Sequence, residues 1–150
     1  MRILVDADAC PVKKIIEEVA RSYQVEVIMV VNPHHQIDCS YGQVLAVDGE
    51  SQSVDLAIAN LAQVGDIVVT QDYGLACLAL GRRSRAIHPN GWRYDSQHID
   101  ALLSQRHLND KARRGGFKTT STPKRASSAD RVFRQTLVQM MDESQQGPDG

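Results

Sequence analysis

Cysteine is scarce and unpatterned in this chain: Cys10, Cys39 and Cys77 are odd in number and show no C-x-x-C spacing. That argues against a disulfide framework and a structural zinc site, and it favours a reducing compartment. Nor does any apolar run approach the roughly twenty residues that a membrane helix needs. The N-terminus lacks the basic segment, apolar stretch and cleavage site of a secretory signal. A soluble, cytoplasmic protein is therefore expected. No internal repeat or domain boundary is visible, and 150 residues at 42% hydrophobic suffice for one core but not for two.

A formal net charge of −1 conceals an asymmetry. Residues 1–105 hold eight basic against thirteen acidic side chains, a balance of −5. Residues 106–134 hold nine basic side chains against only Asp110 and Asp130, a balance of +7. An acidic body with a basic C-terminal segment predicts a polyanionic partner; the family resemblance described below implies that this partner is single-stranded RNA. Arg113, Arg114, Lys118, Lys124 and Arg131 are the candidate phosphate contacts, with Gly115 and Gly116 permitting close backbone approach. Trp92, Tyr94 or Phe117 can stack a base. Solvation or ion pairing to the acidic body is the plain alternative for the charges, and core packing is the alternative for the aromatics.

Short apolar runs alternate with helical periodicity. Strands are expected at Arg2–Asp6, Val25–Val31, Val44–Val47, Asp66–Thr70 and Arg85–His88. Helices are expected at 11–23, 53–62, 73–80 and 96–106, the first opened by Pro11 and the last capped by Asp95. A basic loop at about 106–128, a helix at about 129–143 and a disordered tail at 144–150 complete the expected single domain. The alternation predicts an α/β fold built on a mostly parallel sheet of four to five strands.

Carboxylates stand where those strands end. Asp6 and Asp8 follow the first strand, and Asp72 follows the run Asp66–Thr70. Acids at the carboxyl edge of a parallel sheet repel one another and call for a cation; oxygen donors suit Mg²⁺ or Mn²⁺. Three readings compete: Asp8 can cap the helix near Pro11, one of the pair can salt-bridge Lys13 or Lys14, and Asp72 or Thr70 can cap the 73–80 helix. Asp55 either complements the dipole of its helix or joins the metal set. Thr70 can orient Asp72 through its hydroxyl. Asp48 and Glu50 read as solvated turn residues, and Asp66 as a loop or capping residue at the opposite sheet edge. His34, His35 and Cys39 match no standard zinc spacing, and Cys10 reads as a small buried residue.

Four segments carry a family resemblance: Val5-Asp6-Ala7-Asp8-Ala9-Cys10-Pro11-Val12, Val54-Asp55-Leu56-Ala57-Ile58, Gly65-Asp66-Ile67-Val68-Val69-Thr70-Gln71-Asp72-Tyr73-Gly74-Leu75-Ala76, and Asp130-Arg131 followed by Phe133. Together, over residues 1 to about 140, they resemble the bacterial YaiI/YqxD family (UPF0178 or DUF188), a group of uncharacterised function usually placed with PIN-like domains. The resemblance implies a PIN-like three-layer α/β/α fold. PIN-like nucleases hold one or two Mg²⁺ or Mn²⁺ ions with acids after strand one, on a middle helix and after strand four. By position these are Asp6 with Asp8, Asp55, and Asp72. Many such proteins carry another acid three residues before the helical one, where this chain has Gln52. One ligand fewer weakens a second metal site.

The expected activity is metal-dependent phosphodiester hydrolysis, of RNA rather than DNA, with Asp6, Asp8 and Asp72 catalytic. Ions about 4 Å apart can activate a water and stabilise the leaving oxygen. A non-catalytic nucleic-acid-binding or regulatory protein is the alternative that Gln52 favours. A third is a haloacid-dehalogenase-type phosphohydrolase: Val5-Asp6-Ala7-Asp8 resembles its nucleophile motif, and Gly65-Asp66 with Asp72 resembles its metal motif. That motif expects Thr or Val where Cys10 stands.

Overall fold

Ile3, Leu4 and Val5 are all fully buried, and three consecutive buried strand residues require a strand covered on both faces. The computed structural model describes residues 1–34, 37–48, 53–95, 97, 99 and 127–145, and it places this strand, β1 (Arg2–Asp6), inside a sheet. Around it run β2 (Glu26–Val31), β3 (Gln43–Ala46), β4 (Ile67–Val69), β5 (Arg85–Ile87) and β6 (Arg93–Tyr94). Their order across the sheet is β3-β2-β1-β4-β5-β6, and every pair is parallel except β5 with β6.

Side chains alternate between the two faces with period two. Ile3, Val5, Met29, Val69 and Ile87 form one core with Ile16 and Val19 of α1 (Lys13–Tyr23) and with Phe133, Leu137 and Met140 of α4 (Ser127–Gln145). Leu4, Ile28, Val68 and Ala86 form the other. There they meet Ala57 and Ile58 of α2 (Val54–Leu61) and Leu75, Ala76 and Ala79 of α3 (Tyr73–Gly81). The result is three layers, α/β/α. Among the described residues no helix is long and apolar enough to cross a membrane.

Several boundaries depart from expectation. Ala7–Ala9 form a single 3₁₀ turn, so α1 starts at Lys13 rather than at residue 11. The sheet has a sixth strand: two residues are too few to show a pattern, and β6 exists because a turn folds it back on β5. His88 N–H donates to Trp92 O at 2.9 Å and Gly91 N–H to His88 O at 2.8 Å. Gly91 has a φ of +101°, and a Cβ there would lie 2.5 Å from Val132 Cγ1, so only glycine lets α4 pass this close.

α4 begins two residues before the expected start and runs on through Ser144 and Gln145, residues expected in a disordered tail. Arg85 explains the extension. Its guanidinium donates to Met140 O at 2.9 Å and to the Ser144 hydroxyl, filling acceptors at the helix end. The expected 96–106 helix, apart from residues 97 and 99, lies outside the described residues, as do the segment 106–126 and the tail from 146.

Candidate metal centre

The strand order reverses between β1 and β4. The chain leaves β1 toward β2 and β3 on one side and later fills β4 and β5 on the other, and the crevice at the carboxyl ends of such a pair is the usual ligand site of an open α/β sheet. Asp6 ends β1. Val5 pairs with Val69, so Thr70, the next residue, stands opposite Asp6. Leu4 and Val68, two residues earlier, both lie in the α2/α3 core, so Asp6 and Thr70 point to that same face.

Thr70 is 1% exposed and held on every side. Its N–H donates to Ile87 O at 3.2 Å, and its carbonyl accepts the Tyr94 hydroxyl at 2.9 Å. Its own hydroxyl donates to Asp6 Oδ2 at 3.0 Å and accepts the Asp72 N–H at 3.0 Å. The hydroxyl contact expected between Thr70 and Asp72 is made to the Asp72 N–H. The strand register points the hydroxyl at Asp6, and Asp72 is tied through its backbone instead.

The other acids come from three further elements. Asp8 lies on the 3₁₀ turn and accepts the Asn32 N–H, just past β2, on both oxygens at 3.1 Å. It does not cap α1, whose N-cap is Val12 with no side-chain bond. Lys13 sends its ammonium to Cys10 O at 3.3 Å and Ala7 O at 3.4 Å. Asp72 does cap α3, accepting the Gly74 N–H on Oδ1 at 2.8 Å. Asp55 sits half-buried in the first turn of α2, which Ser53 caps.

Electrostatics links the four. Burial pushes the Asp6 carboxyl above its ordinary range, the Thr70 hydroxyl pulls it partly back, and the charges of Asp8, Asp72 and Asp55 push it up again. The Tyr94 phenol is likewise driven upward, by burial and then by the charge of Asp72. Asp6 therefore sits in the combined negative field of the other three.

The donor chemistry, all carboxylate oxygen, fits a hard divalent cation. Thr70 occupies Oδ2 of Asp6, and Gly74 occupies Oδ1 of Asp72. A carboxylate offers about four lone-pair sites, so each retains capacity for an ion. Yet among the described residues no three His, Cys, Asp or Glu side chains converge closely enough to ligate one ion together. A cation that keeps several waters and takes only one or two carboxylates, as Mg²⁺ does, suits this spacing.

The remaining candidates divide. Arg131 is exposed on α4, whereas Arg113, Arg114, Lys118, Lys124, Phe117, Gln52, Glu50 and His35 lie outside the described residues. Tyr94 is 4% exposed, so core packing is the reading that holds for it, and its hydroxyl donates to Thr70 O. Trp92 is half-buried and stacks on His88 with centroids 4.4 Å apart. His34 is exposed, and Cys39 is engaged with Tyr41 O at 2.9 Å. Asp66 lies at the other end of β4, ion-paired with Arg2 at 3.0 Å. Sequence reasoning missed Asn32, although its place after β2 puts it on the same edge, and it missed the Tyr94 hydroxyl, for which no local signal exists.

The profile of the "Uncharacterized BCR, YaiI/YqxD family" matches residues 4–143. A UPF0178 protein of Natranaerobius thermophilus is 48% identical over 141 residues, covering 94% of this chain and 96% of that one. A UPF0178 protein of Clostridium tetani is 47% identical over 138 residues, covering 92% and 94%. A crystal structure of a mutant of Rae1 (YacP) from Bacillus subtilis is similar at a TM-score of 0.47 and 16% identity, covering 96% of this chain and 99% of that one. With a profile match that takes in Asp6, Asp8, Asp55 and Asp72, and relatives matched over nearly their whole length, the chain belongs to the YaiI/YqxD family.

Proposed function

We propose that the protein is a Mg²⁺- or Mn²⁺-dependent nuclease that hydrolyses phosphodiester bonds, taking RNA in preference to DNA. One observation carries the reading: Asp6 stands half-buried at the switch point of the sheet, hydrogen-bonded to Thr70 across the β1/β4 boundary, with the charges of Asp8, Asp55 and Asp72 all raising its proton affinity. Folding four acids from separate elements into one field costs stability unless a cation offsets it. The preference for RNA rests on the resemblance to PIN-like nucleases.

A divalent ion held there supplies a bound water of lowered pKa and neutralises charge on a phosphoryl oxygen. Asp6, Asp8, Asp55 and Asp72 are its proposed holders, one or two of them bonding it directly and the others reaching it through its bound waters. Thr70 favours the charged form of Asp6 and fixes its direction. The basic segment 106–126 supplies phosphate contacts.

Hydrolysis of single-stranded RNA with Mn²⁺, abolished in Asp6→Asn and in Asp72→Asn, is the expected result. Cleavage that survives both substitutions would overturn the reading. The spacing of the acids and Gln52 favour one second reading, a non-catalytic RNA-binding protein, which binding without cleavage in wild type and variants alike would support. The phosphohydrolase alternative needs Asp66 beside Asp72, but β4 runs between them, so the two lie at opposite sheet edges. A phosphoryl group trapped on Asp6 would revive it.

A further inference from the structure

Among the described strands, β3 alone is exposed along its whole length. It forms one edge of the sheet, and its apolar residues Val44 and Leu45 are 43% and 40% exposed. A bare edge strand is a template for a further strand, and proteins blunt such edges with charge, proline or a bulge. Gln43-Val44-Leu45-Ala46 has neither charge nor proline, and it pairs with β2 residue for residue, without a bulge.

The backbone of β3 is laid out to pair with itself. Val47 N–H donates to Val31 O at 3.0 Å, and Leu45 pairs with Val30. Backbone groups alternate in direction along a strand, so Gln43, Leu45 and Val47 turn theirs to β2, while Val44 and Ala46 turn theirs outward. Across a two-fold axis the two strands run antiparallel, and Val44 can lie opposite Ala46 of the partner subunit. Each such pair exchanges both of its N–H···O bonds. A shift of two residues either way would instead pair one of them with Gly42 or Asp48, outside β3.

Side chains agree with that register. Leu45 sits on the axis and meets its own copy, on the sheet face where its neighbour Val30 joins the α2/α3 core. Asp48 of the partner subunit comes beside Gly42, close to Ser40, whose carbonyl accepts the Arg21 guanidinium at 3.2 Å. Charges of opposite sign therefore approach at both ends of the paired strands.

We propose that β3 is a dimerisation edge, through which a second copy of this chain adds antiparallel so that one sheet runs through both subunits. The axis turns the carboxyl edges of the two sheets in opposite directions, so both acidic crevices stay open. Dimerisation is independent of what those crevices do. One short strand makes a small interface, and association is accordingly weak and concentration-dependent.

Sedimentation of the full chain at rising concentration is expected to shift from the monomer mass to twice that mass. Leu45→Lys opposes two ammonium groups on the axis, and the association constant should fall by about ten-fold or more. Leu45→Cys and Val44→Cys read the register. The two copies of residue 45 lie about 4.5 Å apart between Cα atoms, within disulfide range, whereas those of residue 44 are offset along the ladder beyond the limit of about 7 Å. Mild oxidation should cross-link Leu45→Cys and leave Val44→Cys at the level of wild type, which controls for Cys10, Cys39 and Cys77.

A wild type that stays monomeric at every concentration overturns the dimer. So does a dimer that a folded Leu45→Lys leaves intact, because the interface then lies elsewhere. Should Leu45→Lys fail to fold, the cysteine variants decide: selective cross-linking at residue 45 upholds the interface, and equal or absent cross-linking overturns it.

Discussion

Thr70 donates its hydroxyl to Asp6 Oδ2 at 3.0 Å across the β1/β4 boundary. Thr70 Oγ1 in turn accepts the Asp72 N–H at 3.0 Å, so one nearly inaccessible side chain couples the acid that ends β1 to the residue that opens α3.

Thr70→Val keeps the shape and removes the hydroxyl, which is not a neutral exchange in a buried site. The Asp72 N–H loses its acceptor, at a cost of about 1–3 kcal/mol, measurable by urea unfolding. Asp6 loses the one interaction that favours its charged form and binds its proton more tightly. Metal affinity should fall by about 10–100-fold, as for other groups that orient a ligand. Calorimetric titration with Mn²⁺ checks this, and unchanged affinity would remove Thr70 from the site.

Asp6 makes the metal-free protein sensitive to pH in a definite direction. Its folded pKa lies above the ordinary 3.8, so its favourable contribution is complete below pH 3.8 and is lost as pH rises through the folded value. Asp6→Asn retains an oxygen to accept the Thr70 hydroxyl but cannot ionise. At neutral pH, without metal, the variant should melt higher than wild type, and the advantage should vanish below pH 3.8. Added Mg²⁺ should raise the melting temperature of wild type and leave that of the variant unmoved. A wild type indifferent to Mg²⁺ would count against the site.

Tyr94→Phe tests the support behind Thr70. The phenol donates to Thr70 O from a 4%-exposed position, and its loss should cost about 1–2 kcal/mol through the weakened carbonyl. Because burial and Asp72 hold the phenol well above its ordinary pKa of 10.0, Tyr94 should stay protonated when exposed tyrosines ionise. A spectrophotometric titration that assigns Tyr94 by difference against the Phe variant reads this directly.

β1 and β4 were legible because their apolar runs are buried on both faces: Ile3-Leu4-Val5 and Ile67-Val68-Val69 leave no room for a polar face. The two carboxyl-edge acids followed from those runs, since Asp6 and Asp72 come where the apolar pattern stops. What local sequence could not carry is register. Whether Thr70 meets Asp6 or the Asp72 side chain depends on the pairing of Val5 with Val69, a contact between residues 64 apart. The same holds for Asn32 on Asp8 and for Tyr94 on Thr70, where partners 24 residues apart meet only once the sheet is assembled. β6 was invisible for another reason: Arg93 and Tyr94 have no period to show, and the turn from His88 to Trp92 creates the strand.

Asp72 has two roles that substitution can separate. As N-cap it accepts the Gly74 N–H at 2.8 Å, and Asn caps about as well as Asp. Asp72→Asn should therefore unfold close to wild type, whereas Asp72→Ala should lose about 1 kcal/mol with the cap. Both remove the charge that raises the proton affinity of Asp6, so in both the metal-free protein gains a little from relieved repulsion and Mn²⁺ affinity falls. If the carboxylate serves the cation, the two variants should lose affinity equally despite their different stabilities. If only the alanine variant loses affinity, Asp72 acts through the helix end and not through its charge, and the metal set shrinks to Asp6, Asp8 and Asp55.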